Sequence, residues 1–182
     1  MSLLTYVELV ELVERGVIEG VHPDHINGAS IDVTLGNTLW VEAVPHGGYT
    51  IVDLAAKEAP ELEEIPIHGY FDLAPGQFCL ASTKEMFHLP ADIAAEVKLR
   101  SSSARAGLDH SLAGWADPHW HDSVLTLELY NNLRYHHLRL RPGMKIAQMI
   151  FMRGTPVPNE AGYAARGRYN GDSAATPSKG IC

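Results

Sequence analysis

After Gly16 the apolar residues of this chain stop following a helical period, and no later feature constrains its fold as strongly. Upstream, Thr5-Tyr6-Val7-Glu8 has the spacing of a capping box and Gly16 stands where a helix C-cap would. Between them Leu9, Val10, Leu12 and Val13 supply one apolar face, which predicts a short helix. Downstream, Ala29 to Asn37 alternates, with Ile31, Val33 and Leu35 on one side and Ser30, Asp32 and Thr34 on the other, the period of a strand. Gly36-Asn37 then reads as a turn into a second strand at Thr38-Leu39-Trp40-Val41. Pro75-Gly76 and Pro142-Gly143 both read as type II turns, because Pro fixes the first central dihedral and Gly accepts the positive one that follows. They introduce apolar runs at Phe78 to Ser82 and Ile146 to Phe151, and a further strand is expected from Val124 to Tyr130. The chain is therefore expected to be mainly β with a short N-terminal helix and few others. At 182 residues it suits one domain with a substantial core, and no internal stretch looks like a linker. Residues 159–182, rich in Gly, Ala and Ser, are expected to be mobile until something binds them.

Asp and Glu number 22 against 14 Lys and Arg, a formal net charge of −8 that argues against a duplex nucleic-acid binder. It leaves a nucleotide open, since a triphosphate needs only a local cluster of donors and the arginines are concentrated in the second half. No run approaches the ~20 apolar residues of a membrane span, and Met1-Ser2-Leu3-Leu4 does not open a signal peptide. The expected location is cytoplasmic. Cys79 and Cys182 give neither a disulfide framework nor a metal quartet, and Cys79, within Phe78-Cys79-Leu80, reads as a small buried hydrophobe.

Two segments carry the candidate chemistry. In Glu96 to Leu108 an alternating strand ends in Arg100 and the hydroxyls of Ser101, Ser102 and Ser103, where a short helix is able to begin. Free amides at such a start, beside serines and a guanidinium, suit a phosphate, and an N-cap beside a solvated arginine is the plainer alternative. In Val124-Leu125-Thr126-Leu127-Glu128-Leu129 the leucines share one strand face and Thr126 and Glu128 the other. Glu128 is either a solvated edge residue or a catalytic carboxylate, and periodicity does not separate the two.

Several blocks together resemble the dCTP deaminase family of the trimeric dUTPase superfamily. They are Ile26-Asn27-Gly28-Ala29-Ser30-Ile31-Asp32-Val33-Thr34-Leu35-Gly36, the Arg-Ser-Ser-x-Ala-Arg-x-Gly-Leu run from Arg100, Ala113 to Pro118, Thr126 to Leu129, Leu140 to Ile146 and Gly167-Arg168-Tyr169-Asn170-Gly171. Their order spans most of the chain. The resemblance implies a β-clip-like distorted barrel, assembled as a homotrimer with active sites between subunits. It also implies Mg²⁺ carried by the nucleotide triphosphate, no zinc, and dCTP as the substrate, with dUTP and dTTP as further candidate ligands. By the same resemblance Glu128 is the general base that activates water for attack at cytosine C4, releasing dUTP and ammonia. Ser101 and the Ala113 carbonyl position that water, and Arg105 orients Glu128 or the base. Arg100 and Ser102 hold phosphate oxygens, with Ser101 beside them, and Asp117 reads the 3′-hydroxyl. Tyr163, Arg168 and Lys179 reach the phosphates from 159–182, which closes as a lid.

Departures from the family pattern cluster near these positions. His119 replaces a usual Gly, the turn Pro118 to Ser123 is one residue longer, and Gly107 to Asp117 is one shorter. Arg168 replaces Lys, and Asp172 stands where a glutamine usually meets the phosphates; a carboxylate there repels a triphosphate unless a cation intervenes. A zinc deaminase is a poor alternative despite His119, His121, Asp122, His136 and His137, because His-x-Glu with Pro-Cys-x-x-Cys is missing. A combined deaminase and dUTPase that releases dUMP, and a non-catalytic nucleotide-binding trimer, are the other readings.

Overall fold

The computed structural model of the protein describes residues 2–111 and 113–180. In chain order the elements are β1 (Ser2–Leu3), α1 (Tyr6–Glu14), β2 (Ile18–Glu19), β3 (Ile31–Glu42), β4 (Leu62–Pro66), β5 (Phe71–Leu73) and β6 (Phe78–His88). There follow β7 (Ile93–Leu99), α2 (Ser101–Arg105), β8 (Leu108–His110), β9 (Trp115–Ala116), β10 (His121–Asn131), β11 (Leu138–Leu140), β12 (Lys145–Arg153) and α3 (Tyr163–Arg166). Helix α1 begins as expected: the Glu8 carboxylate accepts from the Thr5 amide at 3.1 Å, and Gly16 leaves the helix at φ +70°. No helix among the described residues is long and apolar enough to cross a membrane.

The strands form one curled sheet of ten, ordered β8-β10-β6-β3-β12-β7-β9, with β1 on β12, β2 on β6 and β4 on β3; β5 and β11 pair separately. This is the mainly β architecture that the sequence predicts. The core lies inside the curl, where Ile31, Val33, Leu35, Leu127, Leu129, Met149 and Phe151 are fully buried. Both Pro-Gly turns close as type II turns, with Gln77 N donating to Ala74 O at 3.0 Å and Met144 N to Arg141 O at 3.2 Å. Cys79 is buried in β6, and burial pushes its thiol up to about 12.

One strand prediction fails. Gly36-Asn37 is not a turn: β3 runs unbroken from Ile31 to Glu42, and its pairing with β6 shifts register between Leu35 and Leu39. A Cβ on Gly36 would sit 2.6 Å from Ser82 Oγ and 3.1 Å from Ser82 O. The glycine is there because the two backbones approach closely at a bulge, not because the chain reverses. Asp32 and Thr34, on the face opposite Ile31, are buried as well.

Candidate active site

Strand β10 places Glu128 as the alternation predicts, with Leu125, Leu127 and Leu129 in the core and Thr126 and Glu128 facing the other way. That second face is not solvent. It forms the wall of a cavity of about 550 Å³, with Phe78 and Leu80 of β6, Trp115 and Ala116 of β9, and Ala59, Pro60 and Leu62 ahead of and within β4. Residues 163–178 complete it through Tyr163, Tyr169, Asp172, Thr176 and Ser178. A mainly apolar chamber with a few convergent polar groups is the usual form of a small-molecule site.

Burial raises the Glu128 pKa above its ordinary value, against a lesser opposing effect of a backbone hydrogen bond. The His110 Nε2 lies 3.3 Å from Glu128 Oε2, and burial lowers the His110 pKa against the opposing charge of Asp109. The His110 imidazole therefore stands directly behind Glu128, which lines the cavity. The pairing of β8 with β10, His110 opposite Leu129, brings them together. Ala113 lines the same cavity, and its neighbour Gly114 anchors this stretch: Val97 N donates to Gly114 O at 2.8 Å. A Cβ on Gly114 would stand 2.2 Å from Val97 Cγ1, so only glycine lets the loop press this close to β7.

The segment after β12 is laid along the first half of β10. Trp120 Nε1 donates to Tyr169 O at 2.9 Å, His121 N to Asn170 Oδ1 at 2.8 Å, and Val124 N to Asp172 O at 2.9 Å. Gly171 N donates to Ser123 Oγ at 2.9 Å, Thr176 N to Thr126 Oγ1 at 3.2 Å, and Ala175 is buried. Tyr163 N donates to Pro118 O at 3.0 Å, which brings Tyr163 to the cavity; burial raises its pKa.

The altered turn has a clear role in this docking. His119 adopts φ +68°, the left-handed conformation that favours the glycine usual at this position. Its Nε2 donates to Val157 O at 2.9 Å, and its ring lies where a Cβ on Gly162 would be, 2.2 Å away. Asp122 is also left-handed, at φ +51°, and its carboxylate is bridged by His121 Nδ1 at 2.8 Å and His88 Nδ1 at 3.0 Å. Those two imidazoles hold its pKa below the ordinary carboxylate value. His136 and His137 are exposed on the loop between β10 and β11.

The remaining predicted residues divide into groups. Ser101, Ser102 and Arg105 are exposed on α2, and Arg100 precedes that helix with its guanidinium on Asp32 at 2.9 Å, an acceptor it shares with Lys145 at 3.1 Å. None of the four lines the Glu128 cavity. Asp117 accepts from Trp115 Nε1 at 2.8 Å and faces a second, smaller hollow beside Pro118. Arg168 and Lys179 lie in the docked tail: Arg168 donates to the Lys179 and Gly180 carbonyls, and Lys179 Nζ to Arg168 O at 2.7 Å. Lys179 Nζ is also 3.3 Å from both oxygens of Asp172, supplying the cation that a carboxylate at this position calls for. Sequence reasoning missed His110 and the wall at residues 59–62. The strand pairings that place them, β8 on β10 and β4 on β3, leave no motif in either segment.

A dCTP deaminase-like family profile matches residues 3–154. A dUMP-forming dCTP deaminase of Aquifex aeolicus (strain VF5) is 35% identical over 171 residues, covering 93% of this chain and 89% of that protein. One of Corynebacterium diphtheriae (strain ATCC 700971 / NCTC 13129 / Biotype gravis) is 38% identical over 168 residues, covering 89% and 87%. One of Hydrogenobaculum sp. (strain Y04AAS1) is 32% identical over 179 residues, covering 98% and 92%. Among solved structures, the 2′-deoxycytidine 5′-triphosphate deaminase of Agrobacterium tumefaciens shares the fold. The TM-score is 0.65 at 21% identity, over 87% of this chain and 50% of that one. The relatives overturn the expectation that dUTP is the released product, since they are dUMP-forming enzymes. The physical reason is plain: a single carboxylate on β10 carries no information about what happens at an α-phosphate.

Proposed function

This chain belongs to the dCTP deaminase-like family and is an enzyme of that kind, and from that premise we propose that it converts dCTP to dUMP, pyrophosphate and ammonia within one closed site. Glu128 carries the reading. Its carboxylate stands in an apolar-walled cavity of nucleotide size, with a pKa raised by burial, as suits a general base. In the first step Glu128 takes a proton from water as the oxygen bonds to C4 of cytosine. The proton then passes to the exocyclic amine, the C4–N bond breaks, and ammonia leaves. In the second step another water attacks the α-phosphorus of the bound dUTP, and the α–β bridging oxygen departs with pyrophosphate. Ala113 and Glu128 line the same cavity, and holding the attacking water between the Ala113 carbonyl and Glu128 would lower the entropic part of the barrier.

The reading also covers the residues that do not reach this cavity. Arg100, Ser101, Ser102 and Arg105 complete the site from a neighbouring subunit of a homotrimer, with Ser101 and Arg105 at the reacting base and Arg100 and Ser102 at phosphate oxygens. The exposure of Ser101, Ser102 and Arg105 on α2, outside the cavity that Glu128 of the same chain lines, supports that division. Asp117 holds the 3′-hydroxyl, and Tyr163, Arg168 and Lys179 hold phosphates as residues 159–182 close over the nucleotide. Mg²⁺ enters with the triphosphate, held by its oxygens, and its contribution is to offset phosphate charge. Among the described residues the carboxylate nearest the docked cations, Asp172, is already matched by Lys179, which fits a metal carried by substrate rather than by the chain.

Incubation with dCTP and Mg²⁺, followed by anion-exchange separation, tests the reading. dUMP and pyrophosphate in equal amounts are expected; dUTP accumulating as the end product, or dCTP left unchanged by folded protein, defeats it.

A further inference from the structure

We propose that Asp172 is an internal counter-ion that stands in for the substrate's phosphates, holding Lys179 when no nucleotide is bound and yielding it when a triphosphate arrives. The inference rests on the reading that Lys179 binds phosphate. Asp172 is the anchored member of the pair: Val124 N donates to its carbonyl at 2.9 Å, Gly171 before it is tied to Ser123, and Ala175 beyond it is buried. Its side chain is only 20% exposed and lines the same cavity as Glu128 and Thr126. Lys179 is the movable member. Its ammonium meets both Asp172 oxygens at 3.3 Å, donates to Arg168 O at 2.7 Å, and lies 4.8 Å above the Tyr169 ring.

A half-buried carboxylate facing a triphosphate repels it, and a shared ammonium removes that repulsion only while the pair is intact. Lysine is a compact charge with three rotatable donors on a flexible stem, so it transfers between acceptors without moving the backbone. A triphosphate, with several charges, outbids a single carboxylate for it, whereas a monophosphate does so weakly. Asp172 therefore lowers affinity for triphosphates selectively. Once pyrophosphate has left, it reclaims Lys179 and resets the strap.

The test is titration calorimetry with dCTP and with dCMP on Asp172→Asn, Lys179→Gln and the double variant, each in a Glu128→Gln background that prevents turnover. Circular dichroism melts check that each variant is folded. Lys179→Gln is expected to weaken dCTP binding much more than dCMP binding. Asp172→Asn is expected to tighten dCTP binding about two- to fivefold, the scale of one partly exposed ion pair, with dCMP unchanged. That gain should differ in the Lys179→Gln background, where no ammonium is left to share, whereas two independent residues would give the same gain in both. If Lys179→Gln weakens dCTP but Asp172→Asn brings no gain, the counter-ion role is wrong and the phosphate role of Lys179 stands. A Mg²⁺-dependent loss in Asp172→Asn also overturns the counter-ion role and places the carboxylate on the metal. If Lys179→Gln leaves dCTP binding intact, the phosphate reading itself falls, and the inference with it.

Discussion

At the scale of single residues, Glu128 sets both chemistry and stability. Only the ionised carboxylate takes a proton from water, so turnover should fall as pH drops through its raised pKa, at a higher pH than an exposed glutamate would give. A pH series of kcat/KM checks this; an acidic limb at the ordinary glutamate position would remove Glu128 from the role. Glu128→Gln is expected to lower kcat by roughly 10²- to 10⁴-fold with dCTP binding retained. Its effect on stability has a definite sign. Because the folded pKa is raised, the carboxyl's favourable share is complete below the unfolded pKa and is lost as pH rises through the folded pKa. Above that, ionised Glu128 opposes folding, so Glu128→Gln should raise Tm at pH 8 and leave it nearly unchanged at pH 4. Gly36 is the contrasting case, a structural glycine that does not line the cavity. Gly36→Ala sets a Cβ 2.6 Å from Ser82 Oγ and should destabilise by about 1–3 kcal/mol in denaturant melts.

At the scale of elements, the alternation of β3 and β10 was legible because residue type tracks their two faces, as Leu125, Leu127 and Leu129 show. The misread at Gly36-Asn37 has a physical origin: the dipeptide suits both a turn and a bulge, and the partner that decides lies at Ser82, far along the chain. Likewise Glu128, Ala113 and Tyr163 were found in the sequence and do share a cavity, while His110 and the 59–62 wall depend on strand pairings that no local pattern encodes. The strap after β12 makes its own prediction. It forms hydrogen bonds along β10 but among the described residues adds no strand to the sheet. A chain ending at Pro158 should therefore keep the strand signature of its far-ultraviolet circular dichroism, losing the single turn of α3, while KM for dCTP rises at least about tenfold, from the loss of oriented binding groups. An unchanged KM would exclude the lid role of residues 159–182.

At the scale of the whole molecule, the separation of α2 from the Glu128 cavity makes a prediction about assembly. If each site draws Glu128 from one subunit and Arg105 from its neighbour, Glu128→Gln and Arg105→Ala proteins are each inactive alone. Mixed after reversible dissociation, they should recover about a quarter of wild-type activity, because random closed assembly places both intact residues at that share of sites. No recovery in mixtures shown to exchange subunits would put both residues in one chain's site. Light scattering on wild-type protein should give three times the 19.9 kDa chain mass. The strap from Tyr163 to Lys179, which supplies Tyr163, Tyr169, Asp172, Thr176 and Ser178 to the cavity wall, also has a temporal meaning. In the proposed two-step reaction dUTP exists only between the steps, and its fate is a race between escape and hydrolysis. The segment is held by bonds at Tyr169, Asn170, Gly171, Asp172 and Thr176, and as the proposed lid it would slow escape, so that the race is decided before it lifts. As the proposed lid, residues 163–179 would act as a timer, and loosening them should convert a silent intermediate into a leaked product.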